Sequence, residues 1–122
     1  MGIGAVKRFC LSFPGAQEQL LAAPANVLVY SVGGKQFAYF KTSEPQRWRF
    51  SIRVTPDRFI ELTDQPSVTP ARYLQRFHWV SMVSTQALDP DYLQQLIAWS
   101  YHKALGSLPQ KTQRALASAA HE

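Results

Sequence analysis

The feature that most constrains the fold is a pair of β-branched and aromatic runs, residues 27–32 and 36–41, separated by a short turn that contains two glycines. Runs of this composition are typical of β-strands. Gly33 and Gly34 can supply the positive φ angles that a tight hairpin turn requires. The sequence therefore predicts an antiparallel hairpin, which brings a β-sheet into the fold.

Residues 47–54 predict a further strand, because polar and apolar side chains alternate along them. The apolar side chains share one face: Trp48, Phe50, Ile52 and Val54. The polar side chains share the other: Arg47, Arg49, Ser51 and Arg53. Successive side chains of a strand point to opposite faces, so we expect one face in the core and the other in water.

Helices are predicted on both sides of these strands. Residues 3–13 have the apolar spacing of an amphipathic helix, which a Pro-Gly pair ends. Thr55 is placed to cap a short helix that reaches about Thr63, and Asp89 is placed to cap a long final helix. The short helix would be held down by three apolar side chains: Phe59, Ile60 and Leu62.

The remaining segments carry weaker signals. Residues 16–24 and 65–69 are polar and are predicted to form loops, whereas residues 73–84 supply one or two more strands. Residues 110–116 add a further helical turn or two, and a flexible tail is expected from about residue 117. This order predicts one α+β domain over residues 1–122, with an antiparallel sheet covered on one face by helices.

Residues 70–80 read Pro-Ala-Arg-Tyr-Leu-Gln-Arg-Phe-His-Trp-Val. They resemble the signature of the MmcQ/YjbR family of small bacterial proteins, in which Pro, Arg or Gly, an aromatic or His, Asn-Lys and His-Trp follow in that order. The matching positions are Pro70, Arg72, Tyr73, Gln75, Arg76, His78 and Trp79. Gln75 and Arg76 depart from the Asn-Lys pair of commoner members. The similarity runs from about residue 6 to residue 116.

The resemblance implies a CyaY-like fold, in which N- and C-terminal helices pack on one face of an antiparallel sheet of about five strands. Frataxins share that fold and handle iron through an acidic ridge on the first helix. Here that helix carries Lys7 and Arg8, and no acidic residue precedes Glu18. The single cysteine and three scattered histidines also lack zinc-site spacing. We therefore expect no metal and no cofactor.

The resemblance also implies DNA binding, the role usually attached to the family. The chain has a net charge of +5, and residues 35–58 hold six basic and two acidic side chains. Arginines beside aromatic side chains can hold phosphates and stack on bases. The candidate DNA-binding residues are Lys35, Lys41, Arg47, Arg49, Arg53, Arg72, Arg76 and His78.

Two alternatives stay open. The arginines could form an ordinary solvated sheet face, or the chain could be a protein-interaction or small-anion-binding domain. A closed pocket of His78, Trp79 and one arginine would favour the small anion. Strand alternation places Phe77 and Trp79 on one side, in the sheet–helix interface, and Arg76 and His78 on the other.

Several classes of protein are not favoured. Most carboxylates are explained by helix starts, and no Gly-x-Ser-x-Gly motif is present, so we do not expect an enzyme. Cys10 lies among apolar residues and is expected to be buried in a reducing compartment. With no secretion signal and no long apolar run, the chain is expected to be cytoplasmic, away from membranes, and a monomer or weak homodimer.

Overall fold

The computed structural model describes residues 1–119 and contains one antiparallel sheet with helices packed on it. The strands are β1 (Ala16–Leu21), β2 (Val27–Val32), β3 (Lys35–Lys41), β4 (Phe50–Arg53), β5 (Val68–Pro70) and β6 (Trp79–Met82). The helices are α1 (Ile3–Leu11), α2 (Pro56–Thr63), α3 (Pro90–Gly106) and α4 (Gln110–Ala119). The strand order β1-β2-β3-β4-β6-β5 confirms the predicted α+β class, with six strands in place of about five.

The core lies between α1, α3 and one face of the sheet. From α1, Val6 and Cys10 are completely buried, and α3 contributes Leu93, Ile97 and Tyr101. These side chains meet a row of buried sheet residues that includes Tyr30, Phe40, Phe50, Ile52 and Val80. Burial of Cys10 confirms its prediction as a small core residue.

Local signals for the hairpin and for two helix starts are confirmed. Gly33 and Gly34 take φ angles of 56° and 81° in the turn between β2 and β3. The Thr55 hydroxyl accepts the Arg58 backbone N–H at 3.2 Å, and the Asp89 carboxylate caps α3. Ile60 does not hold α2 down as predicted, because it is 72% exposed and Leu62 is the buried residue of that helix.

Two strands lie where loops were predicted. The polar segment 16–24 contains β1, which pairs along its whole length with β2, and segment 65–69 contains most of β5, which pairs with β6. Both are edge strands, whose backbone bonds come from one neighbour and whose side chains are mostly exposed. An edge strand therefore needs little of the apolar pattern by which strands are recognised.

The prediction of a wet sheet face over residues 47–54 is wrong. Strand β4 starts only at Phe50, because Gln46 and Trp48 take positive φ angles of 60° and 71° and interrupt the alternation. Ser51 is completely buried, and its hydroxyl lies 2.6 Å from that of Ser81 on β6. The face that carries these serines is therefore largely closed to solvent.

Rings on the same face explain this burial. Strand register places Tyr39 opposite Ser51 and Trp79 opposite Arg53, and the two rings pack at 5.7 Å beside the small serine side chains.

At the carboxyl end, α4 continues to Ala119, three residues beyond the predicted helical turns. Residues 120–122 of the predicted flexible tail lie outside the described residues, so the tail remains a prediction.

Candidate nucleic-acid interface

Residues 71–78 form a compact turn between β5 and β6, which we call the signature turn. The Ala71 N–H donates to the Trp79 carbonyl at 2.9 Å, and the Leu74 carbonyl accepts the Phe77 N–H at 3.0 Å. A short 3-10 helix, Gln75–Phe77, occupies its centre. The predicted strand over residues 73–84 is thus shortened to β6, since the backbone turns at Tyr73 and His78, both of which have positive φ.

Two arginine–aromatic pairs project from the signature turn. The Arg72 guanidinium carbon lies 5.0 Å from the centroid of the Tyr73 ring, and that of Arg76 lies 4.7 Å from the Phe77 ring. Tyr73 is 81% exposed and Phe77 is 42% exposed. Each pair offers a flat apolar surface beside a positive charge, a combination that suits stacked bases and phosphates.

The backbone of the exposed Tyr73 is strained. Its φ angle of 69° lies in the left-handed region, which costs a residue with a Cβ atom about 1–2 kcal/mol. Strained, exposed residues concentrate at functional sites.

The next two signature residues face inward. His78 is half-buried, with its ring 5.6 Å from that of Phe59, and its carbonyl accepts the Val54 N–H at 2.9 Å. Trp79 is 7% exposed and packs on Tyr39. Trp79 therefore has a structural role, and the predicted alternation of Phe77 with Trp79 is wrong because only Trp79 is buried. Neither His78 nor Trp79 lines any of the four cavities of 260–410 Å³ found among the described residues. The closed pocket of His78, Trp79 and one arginine that would favour a small anion is therefore not among them.

Strand register brings five predicted residues to one end of the sheet. Arg53 pairs with Trp79, so it borders the signature turn, and Lys35 begins β3 at the same end. We call this group the signature end: Lys35, Arg53, Arg72, Arg76 and His78. Lys35, Arg72 and Arg76 are exposed, and Arg53 is half-buried. Within residues 1–119, none of its arginines or its lysine forms an ion pair.

The other three predicted residues lie at the opposite end, which we call the far end: Lys41, Arg47 and Arg49. Lys35 and Lys41 are the two ends of β3, six residue steps apart, a distance of about 20 Å at about 3.3 Å per residue. The eight candidate residues therefore lie in two separate groups at opposite ends of the sheet.

Far-end side chains are engaged with the loop between β3 and β4. The Lys41 ammonium donates to the Pro45 carbonyl at 2.6 Å, and Arg47 Nε lies 3.7 Å from a Glu44 carboxylate oxygen. A guanidinium nitrogen of Arg49 donates to the Gln46 side-chain oxygen at 3.2 Å. Trp48, another aromatic near the predicted site, packs edge-on against Phe40 and beneath Lys7. The far-end side chains therefore have partners within their own loop.

Sequence reasoning missed a further basic pair, His102 and Lys103 on α3, which line a cavity together with Lys35 and Arg53. A basic pair in the last turns of a helix carries no signal of its own, because cations there complement the carbonyl end of the helix. In the part of the chain that the structure describes, no cluster of three or more His, Cys, Asp or Glu side chains could hold a metal ion. No described helix is both long and apolar enough to span a bilayer.

Comparison with known proteins identifies a family that the chain resembles over most of its length. A family model described as YjbR matches residues 11–103. The uncharacterised protein YjbR of Escherichia coli is 28% identical over 117 residues, which cover 95% of this chain and 98% of that protein.

Two crystal structures share the fold. A Deinococcus radiodurans protein with a DUF419 domain superposes with a TM-score of 0.80 at 22% identity, over 95% of this chain and 88% of that one. A Pseudomonas syringae protein superposes with a TM-score of 0.66 at 14% identity, over 85% and 99% of the two chains.

Proposed function

Since the chain belongs to the YjbR family, we propose that it is a non-enzymatic DNA-binding protein that uses the signature end of its sheet. The observation that carries the proposal is the pair of arginine–aromatic contacts exposed on the signature turn. Arginine forms bidentate hydrogen bonds with phosphate oxygens, and an aromatic face accepts any base by stacking. One short segment thus supplies both kinds of contact that a nucleic-acid strand offers.

The dimensions of the signature end support binding along a nucleic-acid backbone. Lys35 lies on β3, Arg53 lies on β4, and the signature turn joins β5 to β6. These strands are neighbours in the sheet, in the order β3, β4, β6 and β5. Three strand spacings of about 4.8 Å extend over roughly 14 Å. A surface of this length can contact successive phosphates of one DNA strand.

Exposed aromatic side chains favour unstacked bases over a closed duplex. In a duplex the base faces are covered by neighbouring pairs, whereas in a single strand they are free to stack on Tyr73 and Phe77. We therefore expect tighter binding to single-stranded DNA than to duplex DNA of the same length.

The test is fluorescence anisotropy of labelled single-stranded and duplex DNA, titrated with the protein at low and at physiological salt. We expect saturable binding to both, with a lower Kd for the single strand, that persists at physiological salt. An unrelated acidic protein serves as the control polyanion. Equal affinity for that control would contradict DNA binding and would favour a protein-interaction domain.

A further inference from the structure

A second basic site lies where the first residues of β3 approach the C-terminal half of α3. A cavity of about 410 Å³ opens there, at one end of the sheet. Its polar lining consists of Lys35, Gln36, Arg53, Ser100, His102, Lys103 and Ser107. Arg72 and Arg76 of the signature turn are not among the lining residues, whereas Lys35 and Arg53 belong both to the cavity and to the signature end.

The cavity adjoins a break in the bonding between β3 and β4. A bulge in β3 shifts its register against β2, and the last register pair of β3 with β4 is Ala38 with Ile52. The next pair would be Phe37 with Arg53, but the Ser100 hydroxyl bonds to both: it donates to the Phe37 carbonyl at 2.6 Å and accepts the Arg53 N–H at 3.2 Å. Ser100 is 1% exposed, so this arrangement belongs to the folded core.

Every ionisable side chain that lines the cavity is basic. Lys35, His102 and Lys103 are exposed at its rim, Arg53 is half-buried, and no carboxylate from residues 1–119 lines it. Within residues 1–119, Lys35, Arg53 and Lys103 form no ion pair. The carbonyl end of α3 opposes this charge with only about half an elementary charge. Three full positive charges around one opening therefore favour an anion.

We propose that this cavity binds a small organic phosphate monoester. Lys35 and Lys103 supply charge for a dianionic phosphate, and Arg53 borders the same opening. The Gln36 side-chain amide is a further donor. A volume of about 410 Å³ falls within the range of small-molecule sites, about 300–1,000 Å³, which leaves space for an organic body beside the phosphate.

A purely structural role makes a different prediction. In that case Lys103 serves only to complement the carbonyl end of α3, and the cavity shows no preference for a phosphate ester over other salts. The two readings are separated by measuring binding and its response to substitution at the cavity.

The experiment is isothermal titration calorimetry of the full chain at low ionic strength with ribose 5-phosphate, inorganic phosphate and ribose. We expect one saturable site for ribose 5-phosphate, weaker binding of inorganic phosphate and none of ribose. His102→Gln/Lys103→Gln should raise the Kd for ribose 5-phosphate about tenfold or more, because it removes charge-assisted hydrogen bonds.

Two further pairs of substitutions serve as controls. Arg72→Gln/Arg76→Gln alters the signature turn and Lys41→Gln/Arg47→Gln alters the far end, and each should change this Kd less than about twofold. Circular dichroism checks that all three variants fold. The proposal is overturned if ribose 5-phosphate does not saturate the protein, if ribose binds as well, or if a control pair weakens binding as much as the cavity pair.

Discussion

Tyr73 combines features that stability alone does not explain. Its ring is 81% exposed and lies against Arg72, while its backbone has a φ angle of 69°. Glycine would adopt this conformation without strain. A tyrosine here gives up stability and buries little, which is understandable if the ring contacts a ligand.

We predict that Tyr73→Gly leaves the free energy of unfolding unchanged or raises it by up to about 1 kcal/mol, because relief of strain offsets the greater flexibility of the unfolded chain. The same substitution should weaken single-stranded DNA binding by about fivefold or more, since one stacked base contributes about 1–3 kcal/mol. Urea denaturation and anisotropy measure the two effects. A large loss of stability would show that the ring is structural.

The fold suppresses ionisation of the buried Cys10 thiol. Burial raises the pKa of its thiol from 9.0 to about 12, and the negative charge of Glu18 adds to the shift. The folded protein therefore holds this proton more tightly than the unfolded chain does. The resulting stability is complete below about pH 9 and is lost as the pH rises from 9 towards 12.

We predict that the free energy of unfolding falls between pH 9 and pH 11 by about 2 kcal/mol more in the wild type than in Cys10→Ala. Denaturation by urea at both pH values checks this. Burial raises the pKa of Tyr30 and of Tyr101 in both proteins, and Cys10 is only the smallest of the causes that raise the pKa of Tyr30. Parallel pH dependence in the two proteins would mean that the thiol is exposed to solvent.

At the scale of elements, the hairpin between β2 and β3 depends on two glycines in different surroundings. A Cβ atom at Gly33 would lie 2.6 Å from the Leu108 side chain, whereas one at Gly34 would meet nothing within 4 Å. Both positions have positive φ. Both positions therefore require glycine for their positive φ angles, and Gly33 also requires it because the Leu108 side chain packs against it.

We predict that Gly34→Ala lowers the free energy of unfolding by about 1–2 kcal/mol through backbone strain alone. Gly33→Ala should lower it further, because Leu108 must also move. Urea denaturation of the two variants gives the comparison directly. Equal losses, or a larger loss for Gly34→Ala, would contradict this account of the turn.

Elements with strong local signals could be predicted from the sequence, and elements defined by their neighbours could not. The glycine turn and the caps at Thr55 and Asp89 depend on nearby residues, and the structure confirms them. Strands β1 and β5 depend on pairing with β2 and β6 and carry little apolar pattern of their own.

The signature turn was misjudged for a related reason. Residue type does not encode a positive φ at Tyr73 or His78, so alternation was extended through a segment that turns. The candidate residues were chosen for their charge, and only the strand register shows which of them lie together.

For the whole molecule, the important property is how the positive charge is divided. Basic side chains at the signature end and in the neighbouring cavity form no ion pairs within residues 1–119, whereas Lys41, Arg47 and Arg49 contact their own loop. We therefore propose that the signature end binds DNA and that the far-end side chains do not.

The most direct test of this claim is the salt dependence of DNA affinity for two charge-matched variants, Arg72→Gln/Arg76→Gln and Lys41→Gln/Arg47→Gln. If Lys35, Arg53, Arg72 and Arg76 each neutralise one phosphate, the logarithm of the association constant for duplex DNA should fall against the logarithm of salt concentration with a slope of about −3.6. The account predicts a slope of about −1.8 for the signature-end variant and an unchanged slope for the far-end variant. Equal changes in both variants, or a change confined to the far end, would contradict it.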